Sequence, residues 1–298
     1  MNFKIIDTQN IYQKLLTAPD AETRKTIFRE ELTAPYEPLV KIFGGPNSDV
    51  LSMFAMWGMN VEHFDDPEKR ERIVSALDKL AEFSAWDKTA QTLRDVEAAF
   101  TPYMDRLSLG PINVGLFWGD LSVGPANRGY TGFGGAPGYV MVVYDTPNDY
   151  NLYRLQGTTA HEMLHNIHFT VFPFSPFTTT VGEYAIAEGL AESFAAELYG
   201  EDVVGYYVTD FDDAELETAK RLIGAALDVT GFNEIRGYIF GDAGADYMNM
   251  PKTGIPPYAG YAVGYRIVQQ YLKRTGQKVT DAIFVPAKDI IAESGFFE

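Results

Sequence analysis

A short run of histidine and glutamate near the middle of the chain has a spacing that suits a metal site. Positions 161–165 spell HEMLH, and the whole chain of 298 residues has four histidines. Residues four apart lie on one face of a helix, so His161 and His165 can bind the same ion, and neutral imidazole nitrogens are good ligands for Zn²⁺. Glu162 is placed to take a proton from a water molecule on the metal without binding the metal itself. The spacing therefore predicts a zinc site with a general base.

A catalytic zinc site needs a third protein ligand and keeps one coordination position open. Val171 occupies the position where the longer HExxHxxGxxH motif has its third histidine. His168 follows His165 by only three residues, and three ligands within so short a segment would strain the coordination geometry. We expect His168 to pack in the interior or to contact a ligand, with metal binding as the less favoured alternative.

The better candidate for the third ligand lies in the segment EGLAE at positions 188–192. Glu188 and Glu192 are four residues apart and share one face of a predicted helix. We expect Glu188 to bind the metal and Glu192 to accept a hydrogen bond from a ligand histidine, with a solvent-exposed Glu192 as the alternative. Glu183 is a rival for Glu188, but Thr180 and Glu183 have the spacing of a capping box, which explains Glu183 structurally.

These motifs, with a third, resemble a known class of enzymes. HEMLH followed by EGLAE resembles the gluzincin pattern of zinc metallopeptidases, and GYAVGYRIV at 260–268 resembles the GYxxGYxIV stretch of the DUF2268 family of predicted Zn-dependent proteases. The resemblance implies a zincin-like fold and a zinc site of the HExxH/E type, and it leaves the substrate open. The GxMEN signature of the M1 aminopeptidases is absent, which argues against an M1 enzyme in the strict sense.

Peptide hydrolysis passes through a tetrahedral oxyanion, which needs a hydrogen-bond donor besides the metal. Tyrosine hydroxyls supply this donor in related zincins, and Tyr261 and Tyr265 are the candidates here. The same two tyrosines also fit an amphipathic helix face, so core packing is the alternative role for at least one of them. Arg266 has the chemistry to hold a substrate carboxylate, although a surface position explains it equally simply.

Patterns of apolar residues predict the strands and helices that surround these motifs. Apolar runs at 112–118 and 139–144 predict two strands, and the glycine-rich segment between them is interpreted as loops with close backbone approaches. The second strand is either an edge strand, which an extended substrate could pair with, or a buried central one. Helices are predicted at 147–169, 181–199, 213–230 and 259–274.

The arrangement of these elements predicts an α+β fold. We expect a mainly helical N-terminal region over residues 1–107. A zincin-like catalytic region with a small mixed sheet and an active-site helix would follow over residues 108–298, with both regions forming one compact unit.

Composition excludes several classes of partner. The chain has 24 basic and 41 acidic residues, a net charge of −17, so nucleic acid and anionic membrane surfaces are poor partners. It has no cysteine, which removes disulfides, Cys-ligated zinc and cysteine nucleophiles. No segment has the length of apolar sequence that a membrane helix needs, and the N-terminus lacks a signal-peptide pattern. We therefore expect a cytoplasmic protein, or one whose signal peptide has been removed.

The function predicted from the sequence is that of a zinc-dependent metallopeptidase acting on peptide or protein substrates, with Zn²⁺ as its cofactor. Two alternatives remain at this point. One is a catalytically silent binding or chaperone-like protein that keeps the fold and the metal site. The other is a zinc hydrolase of a non-peptide amide.

Overall fold

The computed structural model of the chain describes residues 1–43, 48–123, 128–243, 245 and 252–298. Within them the fold is mixed α/β, with one small sheet and many helices. The strands are β1 Phe3–Ile5, β2 Ile112–Trp118, β3 Tyr130–Ala136 and β4 Tyr139–Tyr144. Their order in the sheet is β1-β2-β4-β3, with β3 antiparallel to β4 and the other neighbours parallel.

The helices surround this sheet. In the first part of the chain they are α1 Thr8–Thr17, α2 Ala21–Ile27, α3 Leu39–Phe43, α4 Val50–Met56, α5 Pro67–Glu82 and α6 Ala85–Phe100. In the remainder they are α7 Asp149–Tyr153, α8 Leu155–Val171, α9 Val181–Tyr199, α10 Tyr206–Thr209, α11 Asp213–Gly224, α12 Phe232–Phe240, α13 Ala259–Thr275, α14 Val279–Ala282 and α15 Ala287–Ser294. Across the ranges that are described, no helix has both the length and the apolar content needed to cross a bilayer.

The two predicted strands are β2 and β4, with the predicted bounds. β4 lies between β2 and β3, so of the two alternatives for 139–144 the central strand is confirmed and the edge strand is wrong. The edge beside it is β3, and the loop predicted there is wrong: glycine is depleted in strands, so the glycine content of this segment indicates a loop from sequence alone. β1 was also missed, and it joins the N-terminal region to the same sheet by pairing with β2. The division of the chain near residue 107 stays a prediction.

Most helix predictions match, with two differences. The helix predicted at 147–169 is divided at Arg154 into α7 and α8, and the helix predicted at 213–230 ends at Gly224. The capping box at the start of α9 is confirmed: Thr180 Oγ1 accepts from the Glu183 amide at 3.1 Å, and Glu183 Oε2 accepts from the Thr180 amide at 2.8 Å. Glu183 is therefore used structurally.

The sheet is buried on both faces, which explains why β2 and β4 are almost continuously apolar. Side chains alternate between the two faces of a strand. On β4, Val140 belongs to the core cluster that contains α8, α9 and α13, whereas Met141 and Val143 belong to the cluster formed by the N-terminal helices. Helices α1, α3 and α4 thus pack on one face of the sheet, and α6, α8, α9 and α13 pack on the other.

A close helix–helix contact holds α9 against α13. A Cβ at Gly264 would overlap the carbonyl oxygen of Ala185, and a Cβ at Gly189 would overlap the carbonyl of Gly264. The glycines of the EGLAE and GYAVGYRIV motifs are therefore explained by packing, because larger residues would separate the two helices.

Replacing Gly264 by alanine should destabilise the protein. Overpacking costs about 1–3 kcal/mol, which exceeds the gain of about 1 kcal/mol that alanine brings to a helix interior. Urea unfolding of Gly264→Ala should show a lower midpoint than the wild type. Gly110→Ala is the matched control, because nothing lies within 4 Å of the added Cβ. Equal midpoints for the two variants would contradict the close contact.

Candidate metal centre

The predicted ligands converge on one point. His161 Nε2 and His165 Nε2 lie 3.0 Å apart on α8, and Glu188 Oε2 on α9 lies 3.3 Å and 3.2 Å from them, respectively. A tetrahedral zinc ion with bonds of 2.0–2.1 Å separates its ligand atoms by roughly 3.3 Å. All three residues are buried. The donor set and its spacing therefore fit a zinc ion bound by two histidines and a glutamate.

The pKa values of the ligand side chains are shifted by burial and by the opposite charges that face them. Burial opposes ionisation of Glu188, but the facing imidazoles of His165 and His161 outweigh it and lower the pKa of the carboxyl to about 2. Burial also disfavours a charged His161, yet the carboxylates of Glu188 and Glu192 raise its pKa well above the usual value. The acidic groups are thus arranged to stabilise positive charge at this point.

Glu162 projects beside the ligands without being one of them. Its side chain lines the same cavity, and the three-residue cluster that could hold a metal does not include it. Burial raises the pKa of its carboxyl, against the opposing effect of His161 and His165. A carboxylate in such surroundings suits a general base.

Strand β3 passes directly over Glu162 because it carries glycines there. A Cβ at Gly132 would overlap the Glu162 carboxylate, and a Cβ at Gly134 would overlap the Glu162 carbonyl. Asn166, one turn further along α8, donates to the carbonyls of Gly134 and Tyr139 at 2.8 Å each. The glycine-rich segment thus allows the edge of the sheet to approach the metal centre.

Glu192 lies behind the first histidine. Its Oε1 is 2.8 Å from His161 Nδ1, and its carboxylate accepts from the Tyr207 hydroxyl at 2.5 Å and from the Gly205 amide at 3.1 Å. The side chain is buried, so the solvent-exposed alternative is wrong. On the other side of the same ring, Nε2 faces His165 Nε2 and the Glu188 carboxylate, so a carboxylate at Nδ1 can fix the orientation of the imidazole.

Three tyrosines surround the centre, and only one of them was predicted from the sequence. Tyr261, a predicted donor, lines the cavity. Tyr184 also lines it and interacts with Glu188, and Tyr207 contacts Glu192. Tyr184, Glu188 and Glu192 follow one another at intervals of four on α9, and this spacing was the available signal for Tyr184. Tyr265 has a different environment, because its hydroxyl donates to Glu201 and its side chain is not among the described residues that line the cavity.

The other histidines do not join the cluster. His168 is buried among aromatic rings at the end of α8, and burial lowers its pKa to about 4. His63 packs edge-on against Trp118, on the side of the N-terminal helices. Neither belongs to the group of described residues that could hold a metal.

The centre opens into a cavity of about 520 Å³, within the size range of small-molecule sites. Its walls come from both halves of the chain: β3, α8, α9, α12 and α13 on one hand, and the N-terminal helices α3 and α4 on the other. Arg236 is the one lysine or arginine among the described lining residues. Arg266, by contrast, is exposed and does not reach the cavity.

Comparison with known proteins agrees with the motifs. A family model described as "Predicted Zn-dependent protease (DUF2268)" matches residues 93–292. The chain is 33% identical over 304 residues to a protein of Bacillus subtilis (strain 168) described as "Uncharacterized protein YjfC", and the alignment covers 100% of this chain and 99% of that protein. No solved structure matches the chain.

Proposed function

This chain belongs to the family of predicted Zn-dependent proteases (DUF2268), and from that premise we propose that it is a zinc-dependent metallopeptidase of the gluzincin type. The observation that supports this most strongly is the convergence of two imidazole nitrogens and one carboxylate oxygen, 3.0–3.3 Å apart, beside a further buried glutamate. A purely structural zinc site has no need of that fourth group, which is the base that hydrolysis requires.

In this proposal His161, His165 and Glu188 hold Zn²⁺, and Glu192 fixes the orientation of His161. The metal, when bound, supplies Lewis acidity towards water and the peptide carbonyl. Glu162 accepts a proton from the attacking water and later donates it to the leaving amine. Burial raises the pKa of this carboxyl towards neutral pH, and a group that must both accept and donate a proton works best when its pKa is close to the working pH.

Tyr261 is assigned as the donor that stabilises the tetrahedral oxyanion. Its ring is held by contacts with the rings of Tyr207 and Phe240. Burial, together with the charge of Glu188, raises the pKa of its hydroxyl well above the usual value, so the phenol keeps the proton that it must donate. Tyr265 is the weaker of the two predicted donors, because its hydroxyl is engaged with Glu201.

The substrate is a peptide or protein segment that binds in extended form along β3. This strand is an edge of the sheet, it lines the cavity, and it lies over Glu162. An extended chain can add to such an edge through main-chain hydrogen bonds. An edge strand beside an active-site helix that carries two metal ligands also supports a zincin-like fold, which remains part of the proposal.

Removal and return of the metal test this function. Protein treated with a chelator should lose peptide cleavage, and addition of one equivalent of Zn²⁺ should restore it, because the three ligands are buried and pre-arranged. Cleavage of an unfolded protein substrate, followed by mass spectrometry of the products, measures both steps. Cleavage that persists in metal-free protein would contradict the proposal, and a fully zinc-loaded protein that never cleaves would favour the catalytically silent alternative.

A further inference from the structure

The N-terminal helices contribute an apolar wall to the cavity of the metal centre. Leu39 on α3, Met53 and Met56 on α4 and the following Trp57 all line this cavity, and we call them the N-terminal wall. They precede residues 93–292, the part of the chain that matches the family model. The wall is therefore a feature that the family assignment does not explain.

The wall is fixed in place by packing against the sheet. The Trp57 ring lies edge-on to Phe133 of strand β3, with centroids 5.6 Å apart. On the same helix, Phe54 is fully buried and packs edge-on against Phe117 of β2 and against Tyr36. The Trp57–Phe133 contact joins the wall to β3, the strand along which the substrate is proposed to bind, and the Phe54 contacts fix α4 against the sheet.

One apolar side chain of the wall is mostly exposed. Met56 is 75% exposed although it lines the cavity, and Phe232, which lines the cavity from α12, is 43% exposed. Exposed apolar surface around a concave site is where another molecule can bury apolar groups, and these two side chains line the same cavity. Two methionines on one helix suit this purpose, because their flexible side chains adapt to apolar groups of different shape.

We propose that the N-terminal wall is the subsite for a large apolar side chain of the substrate, such as leucine, methionine or phenylalanine, next to the bond that is cleaved. This inference rests on the proposed peptidase function and adds a substrate class to it. An apolar side chain at the wall is removed from water, whereas a carboxylate there would lose part of its hydration and find no positive charge among the four wall residues.

Met56→Glu tests the wall with little risk to folding, because the side chain is mostly exposed. Ile42→Glu is the matched control: Ile42 is 57% exposed on the neighbouring helix α3 and is not among the described residues that line the cavity. Zinc-loaded wild type and both variants are given one set of peptides that differ only at a single position, with Leu, Met, Phe, Ala, Glu or Lys. The quantity measured is kcat/KM for each peptide.

The wild type should cleave the Leu, Met and Phe peptides at least about tenfold more efficiently than the Ala and Glu peptides, the discrimination that a few methylene groups provide. Met56→Glu should reduce this preference about tenfold or more and improve the Lys peptide, while Ile42→Glu leaves it unchanged. Cleavage without an apolar preference, or with the same preference in Met56→Glu, would overturn the subsite and leave the peptidase function intact. No cleavage of any peptide would contradict the function itself, and the subsite with it.

Discussion

Replacing Glu162 by glutamine should reduce kcat by about 10²- to 10⁴-fold, the contribution that a positioned general base makes. Glutamine has nearly the same shape, so the contact of strand β3 with this position is retained, but its amide cannot take up a proton. The variant should still bind one zinc ion, because Glu162 is not one of the three ligand atoms. Steady-state kinetics together with zinc analysis of the purified protein provides both measurements.

Glu183→Gln is the matched control for this variant. Glu183 is an exposed glutamate at the start of α9, where its carboxylate accepts from the Thr180 amide, and a glutamine can accept the same hydrogen bond. It should keep wild-type kcat and zinc content. A Glu162→Gln protein with normal turnover would show that the base is elsewhere, and one that lost its zinc would show that Glu162 is a ligand.

The second large effect is expected at Glu188. Glu188→Ala removes one of three converging ligand atoms and leaves two histidines, so zinc affinity should fall by more than the 10- to 100-fold that is typical for loss of a group behind a ligand. Glu192→Gln changes such a group, because Glu192 contacts His161 and not the metal position, and its affinity loss should lie within that smaller range. Titration against a competing chromophoric chelator ranks the two variants.

The order of these losses in zinc affinity tests the assignment of Glu188 as the third ligand. Glu188→Ala should lose most zinc, Glu192→Gln less, and Glu183→Ala none, since Glu183 serves the capping box. Stoichiometric zinc in Glu188→Ala at wild-type affinity would move the third ligand to another residue.

The two histidine ligands and the two central strands could be predicted from local sequence patterns. The spacing of four that joins His161 to His165 holds in any regular helix, and the apolar runs of β2 and β4 have the predicted bounds because both faces of the sheet are buried. The pairing of α8 with α9 was not readable from periodicity. It was inferred from chemistry: two histidine ligands need a third protein ligand to complete a catalytic zinc site, and Glu188 on the next predicted helix can supply it.

The parts that were missed depend on contacts between distant segments. Strand β3 is rich in glycine, so its pattern indicated a loop, but Gly132 and Gly134 are needed where the strand crosses Glu162. Tyr207 reaches Glu192 from a short helix whose position depends on the whole fold. The N-terminal wall brings Leu39, Met53, Met56 and Trp57 to a cavity whose metal ligands begin at His161, and an amphipathic pattern contains no information about such a contact.

The most direct test of the central claim compares zinc-loaded wild type with zinc-loaded Glu162→Gln on one diverse peptide library, with mass spectrometry of the products. The account predicts cuts that the wild type makes and the variant does not, at equal zinc content, and the positions of these cuts separate endopeptidase from exopeptidase action. The same cuts in both samples, or none in the wild type, would contradict a peptidase that works through Glu162.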